Sequence, residues 1–214
     1  MQCRRIHMKK WFFLSVILFL GLAFLYRYEF IYLIDVKITL LFETLRTTLL
    51  TNIFLFLSEV GSIKYMFPIC IFFTILLLYK KRIISALFLF ILLFSVRWIN
   101  SELKELFSRE RPHFDAVYKE AFYSFPSGHS MNSIAIYSFI CYLFIQYIES
   151  EKIRKFCIAT TTILIGLIGM SRIYLGVHYL TDVLAGFCAG FSMFIVISFL
   201  NNKINKLFDK IRSV

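Results

Sequence analysis

Residues 83–112 read IISALFLFILLFSVRWINSELKELFSRERP, a long apolar run that ends in a cluster of charge. No charge interrupts it before Arg97, and its apolar residues follow one another rather than alternate with polar ones. It therefore reads as a helix with apolar surroundings on all sides. About 20 such residues cross a hydrocarbon core of roughly 30 Å, so the span is set at 83–102 with the later charges at a water-facing end. Working outward in both directions, similar stretches recur at 11–26, 63–79, 128–148, 153–171 and 178–200.

The composition agrees with a chain whose solvent is lipid. Of 214 residues, 59% are hydrophobic and only 17% charged, with 26 Phe and 12 Tyr. Ordinary soluble domains hold roughly 45–50% apolar residues. A disordered chain and a small disulfide scaffold are both excluded. The five cysteines (Cys3, Cys70, Cys141, Cys157, Cys188) form no CxxC pair, and four lie inside apolar stretches; neither a disulfide nor a metal site is read from them. The stretch at 11–26 is short unless Lys10 and Arg27 snorkel outward, and no small-x-small cleavage site follows it, so it reads as an uncleaved span.

Residues 31–59 differ. Ile31, Ile34, Ile38, Leu41, Leu45, Leu49 and Ile53 recur at helical spacing, interrupted by Asp35, Lys37, Glu43 and Arg46. An amphipathic helix lying in the interface is expected there, in preference to a seventh span that would submerge those charges. The fold class expected is thus all-α: a polytopic membrane protein of six transmembrane helices plus that interfacial helix, in one domain over 1–214.

The net charge of +11 could signal nucleic acid, but its distribution argues otherwise. With the amino terminus inside, the inner segments carry Arg4, Arg5, Lys9 and Lys10, then Lys80, Lys81 and Arg82, then Lys152, Arg154 and Lys155, then Lys203, Lys206, Lys210 and Arg212. These fourteen positive charges face only Glu149, Glu151 and Asp209. Both termini are expected in the cytoplasm, and no nucleic-acid partner is expected.

Three polar motifs then fall on the outer side. The first is K-x6-R-P, Lys104 to Pro112, with Arg111 as its arginine. Alone it is ordinary interfacial anchoring. The second is Pro126-Ser127-Gly128-His129, at the amino end of the fourth span. Ser127 suits a helix cap, but a glycine, a hydroxyl and free helix amides also make an anion site, and His129 has no structural reason to be there. The third is S-R-x5-H-x3-D, from Ser171 through Arg172 and His178 to Asp182. His178 and Asp182 are four apart, so one helix face would hold both and the carboxylate would orient the imidazole. Three cations, helix amides and two histidines at one point suit a phosphoryl group, with one histidine as nucleophile and one as acid.

In order and spacing, the three motifs resemble the signature of the type 2 phosphatidic acid phosphatase superfamily. The segment FPSGHSMN, from Phe125 to Asn132, is similar to its bacterial phosphatidylglycerophosphatase branch. The resemblance implies that His178 attacks phosphorus to form a phosphohistidine, that Asp182 orients it, and that His129 protonates the departing alkoxide and then activates water. It assigns Lys104, Arg111, Ser127, Gly128 and Arg172 to the phosphate oxygens and implies no metal or cofactor. The expected reaction is hydrolysis of phosphatidylglycerophosphate to phosphatidylglycerol at the outer face of a bacterial cell membrane. Undecaprenyl diphosphate, phosphatidic acid and diacylglycerol diphosphate are substrates of the same chemistry, and transfer to an acceptor other than water is a further outcome. Membrane lipids are the only partners expected, with no obligate protein partner. A six-span transporter would distribute its polar residues through several spans, and a non-hydrolytic phospholipid-binding protein would lack a histidine; neither pattern is seen. Arg97, Glu105, Arg109 and Glu110 lie off the motif positions and read as ion-pair or interfacial residues, while His7 and His113 match no motif position.

Overall fold

The computed structural model describes residues 2–212, with side chains from Met8 to Ile211. The charges expected at Arg4, Arg5 and Arg212, and His7, lie outside the described side chains. The described residues form eight α-helices and their connections: α1 (Gln2–Leu25), α2 (Glu29–Thr44), α3 (Thr48–Val60), α4 (Ile63–Tyr79), α5 (Ile83–Phe107), α6 (Gly128–Phe144), α7 (Glu151–Tyr174) and α8 (Leu180–Arg212). A 3₁₀ turn, Ile145–Tyr147, continues α6.

Helices α1, α5, α7 and α8 are each long and apolar enough to cross a membrane, and α3 with α4 passes as a fifth span bent by 50°. Four to five crossings therefore stand where six are expected. Helix α6 has 17 residues, about 25 Å at 1.5 Å per residue, and its first turns are polar. Large apolar side chains point outward all around the bundle, among them Phe13, Phe24, Phe72, Phe94 and Ile163. In water this surface would be far beyond what a monomer tolerates, and lipid is what covers it.

Residues 31–59 depart from expectation twice. They form two helices rather than one, because the chain breaks at 45–47: Thr47 takes an extended backbone and its hydroxyl caps α3 by accepting from the Leu50 amide at 3.3 Å. Arg46 Nε meanwhile donates to the Tyr174 carbonyl at 3.0 Å, tying the break to the end of α7. The facing is also reversed. Asp35 and Thr39 are fully buried against the bundle, whereas Ile34, Leu41, Leu45 and Leu49 are exposed. Where lipid is the solvent, the polar stripe turns inward to find partners.

The core is a cluster of α4–α8 side chains around Leu89, Leu92, Leu93, Val96, Met131, Ile136 and Phe139. At the end of this core where α6 and α8 begin, the two helices touch backbone to backbone. A Cβ on Gly186 would come within 2.6 Å of the Ser127 carbonyl, and one on Gly190 within 2.3 Å of the Met131 carbonyl, so only glycine permits this approach. The Ser127 amide also donates to the Asp182 carbonyl at 2.9 Å, joining the starts of the two helices.

Candidate active site

The carboxyl ends of α5 and α7 and the amino ends of α6 and α8 meet at one end of the bundle, and the three sequence motifs meet with them. Lys104 is in the last turn of α5, Ser127 caps α6, His129 is in its first turn, Arg172 is in the last turn of α7 and Asp182 in the first turn of α8. His178 stands in the connection before α8 rather than on the helix itself.

His178 is 1% exposed, and its two ring nitrogens face different surroundings. Nε2 lies 3.3 Å from Nη1 of Arg111. A guanidinium can only donate, so Nε2 is the accepting nitrogen and the proton belongs on Nδ1. Nδ1 lies 3.2 Å from Ser124 Oγ and 3.5 Å from Asp182 Oδ2. Ser124 Oγ in turn donates to Asp182 Oδ2 at 2.5 Å. The direct imidazole–carboxylate hydrogen bond expected from the spacing is thus replaced by a serine bridge.

Asp182 is fully buried. Its Oδ2 also accepts the Tyr179 amide at 2.9 Å, and its Oδ1 accepts Arg109 Nη1 at 2.6 Å. Arg109 reaches on to Asp35 Oδ2 at 2.8 Å, while Asp35 accepts the amide and hydroxyl of Thr181 at 3.0 and 2.5 Å. The Arg109 guanidinium lies between the rings of Tyr26 and Tyr179, at 4.8 and 4.3 Å. Burial would lower its pKa, but Asp182 and Asp35 outweigh burial and raise it.

On the Nε2 side three cations converge. Arg111 is held by the carbonyls of Phe122 and Val177, both at 2.8 Å, Lys104 Nζ donates to the Tyr123 carbonyl at 2.5 Å, and Arg172 is fully buried, donating to Tyr118 Oη at 2.5 Å and to Ser58. Between them stands Glu120. Its carboxylate bridges Arg111, at 2.9 Å, and Arg172, and lies 4.0 Å from His178 Nε2. Burial alone would raise the Glu120 pKa; the guanidinium charges, Arg172 first and then Arg111, override it and hold the group down at about 2. His178 goes the other way from a carboxylate's partner: burial first, then Arg111, Lys104 and Arg172, keep its pKa well below the usual imidazole range. The ring is therefore neutral at pH 7, with a free lone pair. His129 lies in the same field, sharing Arg172, Glu120, Lys104 and Arg111 as charged neighbours.

Ser127 is buried and its hydroxyl serves the helix, accepting from Ser130 N and Oγ at 3.4 and 3.0 Å. A side chain on Gly128 would meet Asn100 Oδ1 at 2.8 Å, and Asn100 Nδ2 donates to the Pro126 carbonyl at 3.2 Å. Among the described residues no group of three or more His, Cys, Asp and Glu side chains is placed to hold a metal ion.

Residues 82–206 match the PAP2 superfamily. The chain belongs to that superfamily. Among curated PAP2-like relatives, it is 30% identical over 155 residues to phosphatidylglycerophosphatase B of Bacillus subtilis, covering 72% of this chain and 76% of that one. It is 32% identical over 133 residues to lipid A 4'-phosphatase of Porphyromonas gingivalis, covering 55% and 53%. The crystal structure of the transmembrane PAP2 type phosphatidylglycerolphosphate phosphatase from Bacillus subtilis superposes with a TM-score of 0.85 at 29% identity, covering 89% of this chain and 95% of that one. That of Aquifex aeolicus LpxE gives a TM-score of 0.61 at 25% identity, over 76% and 93%. This is a multi-pass membrane protein with a PAP2 phosphatase fold.

All eight sequence-derived site positions therefore come to one end of the PAP2 bundle. Four further residues join them without belonging to a motif: Glu120, Ser124, Asp35 and Arg109. Of these, Arg109 carries an ion pair as its sequence position suggests, although with two buried partners rather than at an interface. Asp35 lies outside the residues that match the superfamily.

Proposed function

We propose that the chain is a single membrane-embedded lipid phosphatase domain that hydrolyses the phosphomonoester of phosphatidylglycerophosphate through a phosphohistidine, without a metal. The observation that carries this reading is the Glu120 carboxylate, an oxyanion clamped by Arg111 and Arg172 beside the accepting nitrogen of His178. A phosphoryl group has the same need for donors and a larger charge, about −1.5 to −2 at neutral pH. Lys104, Arg111 and Arg172 hold its oxygens, with Ser127 and Gly128 presenting the start of α6 to it. The lone pair of His178 Nε2 attacks phosphorus, the P–N bond forms and the P–O ester bond breaks. With the dianion's charge seated among those cations, a protonated His129 gives its proton to the departing alkoxide. Water then attacks phosphorus, His129 takes the proton, the P–N bond breaks, and inorganic phosphate leaves with His178 restored. Asp182, through Ser124, holds the Nδ1 proton and stabilises the charge that the ring gains.

With α6 as a sixth crossing beside the bent α3–α4 span, the site lies at the outer face of a bacterial cell membrane and both termini lie inside; the charge distribution of the connections supports this orientation. The name of the Bacillus relative favours phosphatidylglycerophosphate. Undecaprenyl diphosphate and phosphatidic acid present the same group to the same cations. The test is phosphate release by the detergent-purified protein, in excess EDTA, from these lipids in parallel and beside His178→Ala. Release that is lost in the variant supports the reading, and the ratio of kcat/KM between lipids names the substrate. Equal release by His178→Ala, or none by the wild type, overturns it.

A further inference from the structure

We propose that Asp35 and Arg109, one outside the superfamily match and the other off its motifs, are positioning residues that set the net charge behind the His178 nucleophile. The inference rests on the nucleophile reading above. Behind Nδ1 the buried charged groups alternate in sign: Asp182, Arg109, Asp35. Thr181, Tyr179, Tyr26 and Ser124 complete the surroundings, and none brings a formal charge. Three buried charges in a row are costly unless each is needed, since an apolar core of the same volume is usually as stable.

The sign of the sum explains the third. Asp182 alone would supply one negative charge, but Arg109, bonded to it at 2.6 Å, cancels that charge. Asp35 cancels Arg109 and restores a net of minus one. That charge matters because attack through Nε2 turns a neutral imidazole into a cation. On its other side the ring faces Arg111, Lys104 and Arg172, and the single carboxylate there, Glu120, occupies the seat the substrate needs. The negative charge that remains throughout the reaction is therefore the one behind Nδ1. Arg109 adds geometry: its planar fork, held between two tyrosine rings, aims Asp182 Oδ1 while Oδ2 takes Ser124 and the Tyr179 amide.

The test compares Asp35→Asn with the double variant Asp35→Asn/Arg109→Met, using kcat per folded molecule from the monodisperse fraction. Asparagine keeps the size and the acceptor for the Thr181 amide but leaves Arg109 uncancelled, so the net charge becomes zero. The double variant returns it to minus one, with methionine filling the space between the tyrosines. We expect kcat to fall about tenfold or more in Asp35→Asn, with KM within about threefold, and to recover most of that loss in the double variant. A structural role predicts the reverse order, because the double variant loses more hydrogen bonds. A double variant no faster than Asp35→Asn, or a KM that rises as far as kcat falls, overturns the proposal. Acid-labile phosphoenzyme is trapped from the wild type in the same preparations; failure to trap it counts against the phosphohistidine and leaves the variant ordering to be judged separately.

Discussion

The two sides of the His178 ring are built on opposite plans. Behind Nδ1, each charge has its partner on α2, on α8 or on the segment between α5 and α6, and Asp35, Arg109 and Asp182 are all at most 8% exposed. In front of Nε2, three cations share one carboxylate, and its side chain, on the loop that joins α5 to α6, is 21% exposed. The difference separates what must stay from what must leave. On the proposed mechanism, counter-charges needed throughout the reaction come from well-packed structure, while the place of the substrate is kept by a side chain that a dianion can outbid.

The comparison can be broken most severely at its centre. His178→Ala removes the proposed nucleophile, and phosphate release is expected to fall on the order of a thousandfold or more. On the Nε2 side, Arg172→Ala should lower kcat/KM about 100-fold or more, since it removes a preorganised donor to the developing charge, and the same assay reads it. Ser124→Ala should cost about tenfold in kcat, because the remaining imidazole–carboxylate distance of 3.5 Å can still close. Glu120→Gln is the informative opposite: KM should fall several-fold and inhibition by inorganic phosphate should tighten, as a neutral amide competes poorly for two arginines. A KM that rises would show that Glu120 helps hold the substrate instead.

Acid separates the two sides through stability. The folded pKa of His178 is depressed, so below about pH 6.5 the unfolded chain takes up a proton that the native ring refuses, and stability is lost as pH falls. Glu120 follows lower down: its contribution is intact above its usual value of 4.5 and is lost as pH falls toward about 2. Melting temperatures in detergent at pH 7, 5 and 3 should therefore decline in two stages, and Glu120→Gln should remove only the second. The smallest effect is expected at the amino end of α7, where Glu151→Ala breaks an exposed pair with Lys155 and should change stability by less than about 0.5 kcal/mol.

Much of the bundle is legible in the sequence, because long apolar runs have few other fates and the motifs sit at their ends. Helix α4 has the bounds expected for it, and α5 extends past them only to place Lys104 in its last turn. What was not legible follows from the solvent. The apolar stripe of α2 looks like a face seeking a core, yet it is the face lipid covers, and Asp35 turns inward to a partner 74 residues away in the chain. No local pattern announces a contact of that range. Glu120 and Ser124 lie in a connection without periodicity, where a residue's role comes only from the walls around it.

The backbone contact of α8 with α6 at Gly186 and Gly190 has a mechanical consequence. It clamps the helix that presents His129 against the helix whose start carries Asp182, with the Ser127 and Met131 carbonyls and the Ser130 and Ile134 side chains of α6 packed directly on the glycine backbone of α8. A thicker or thinner bilayer is answered by tilting whole helices, at fractions of a kcal/mol per Å. That adjustment leaves the spacing across a glycine seam unchanged. His129 and Asp182 thus travel as one rigid piece, and their alignment is insulated from the thickness of the membrane around them.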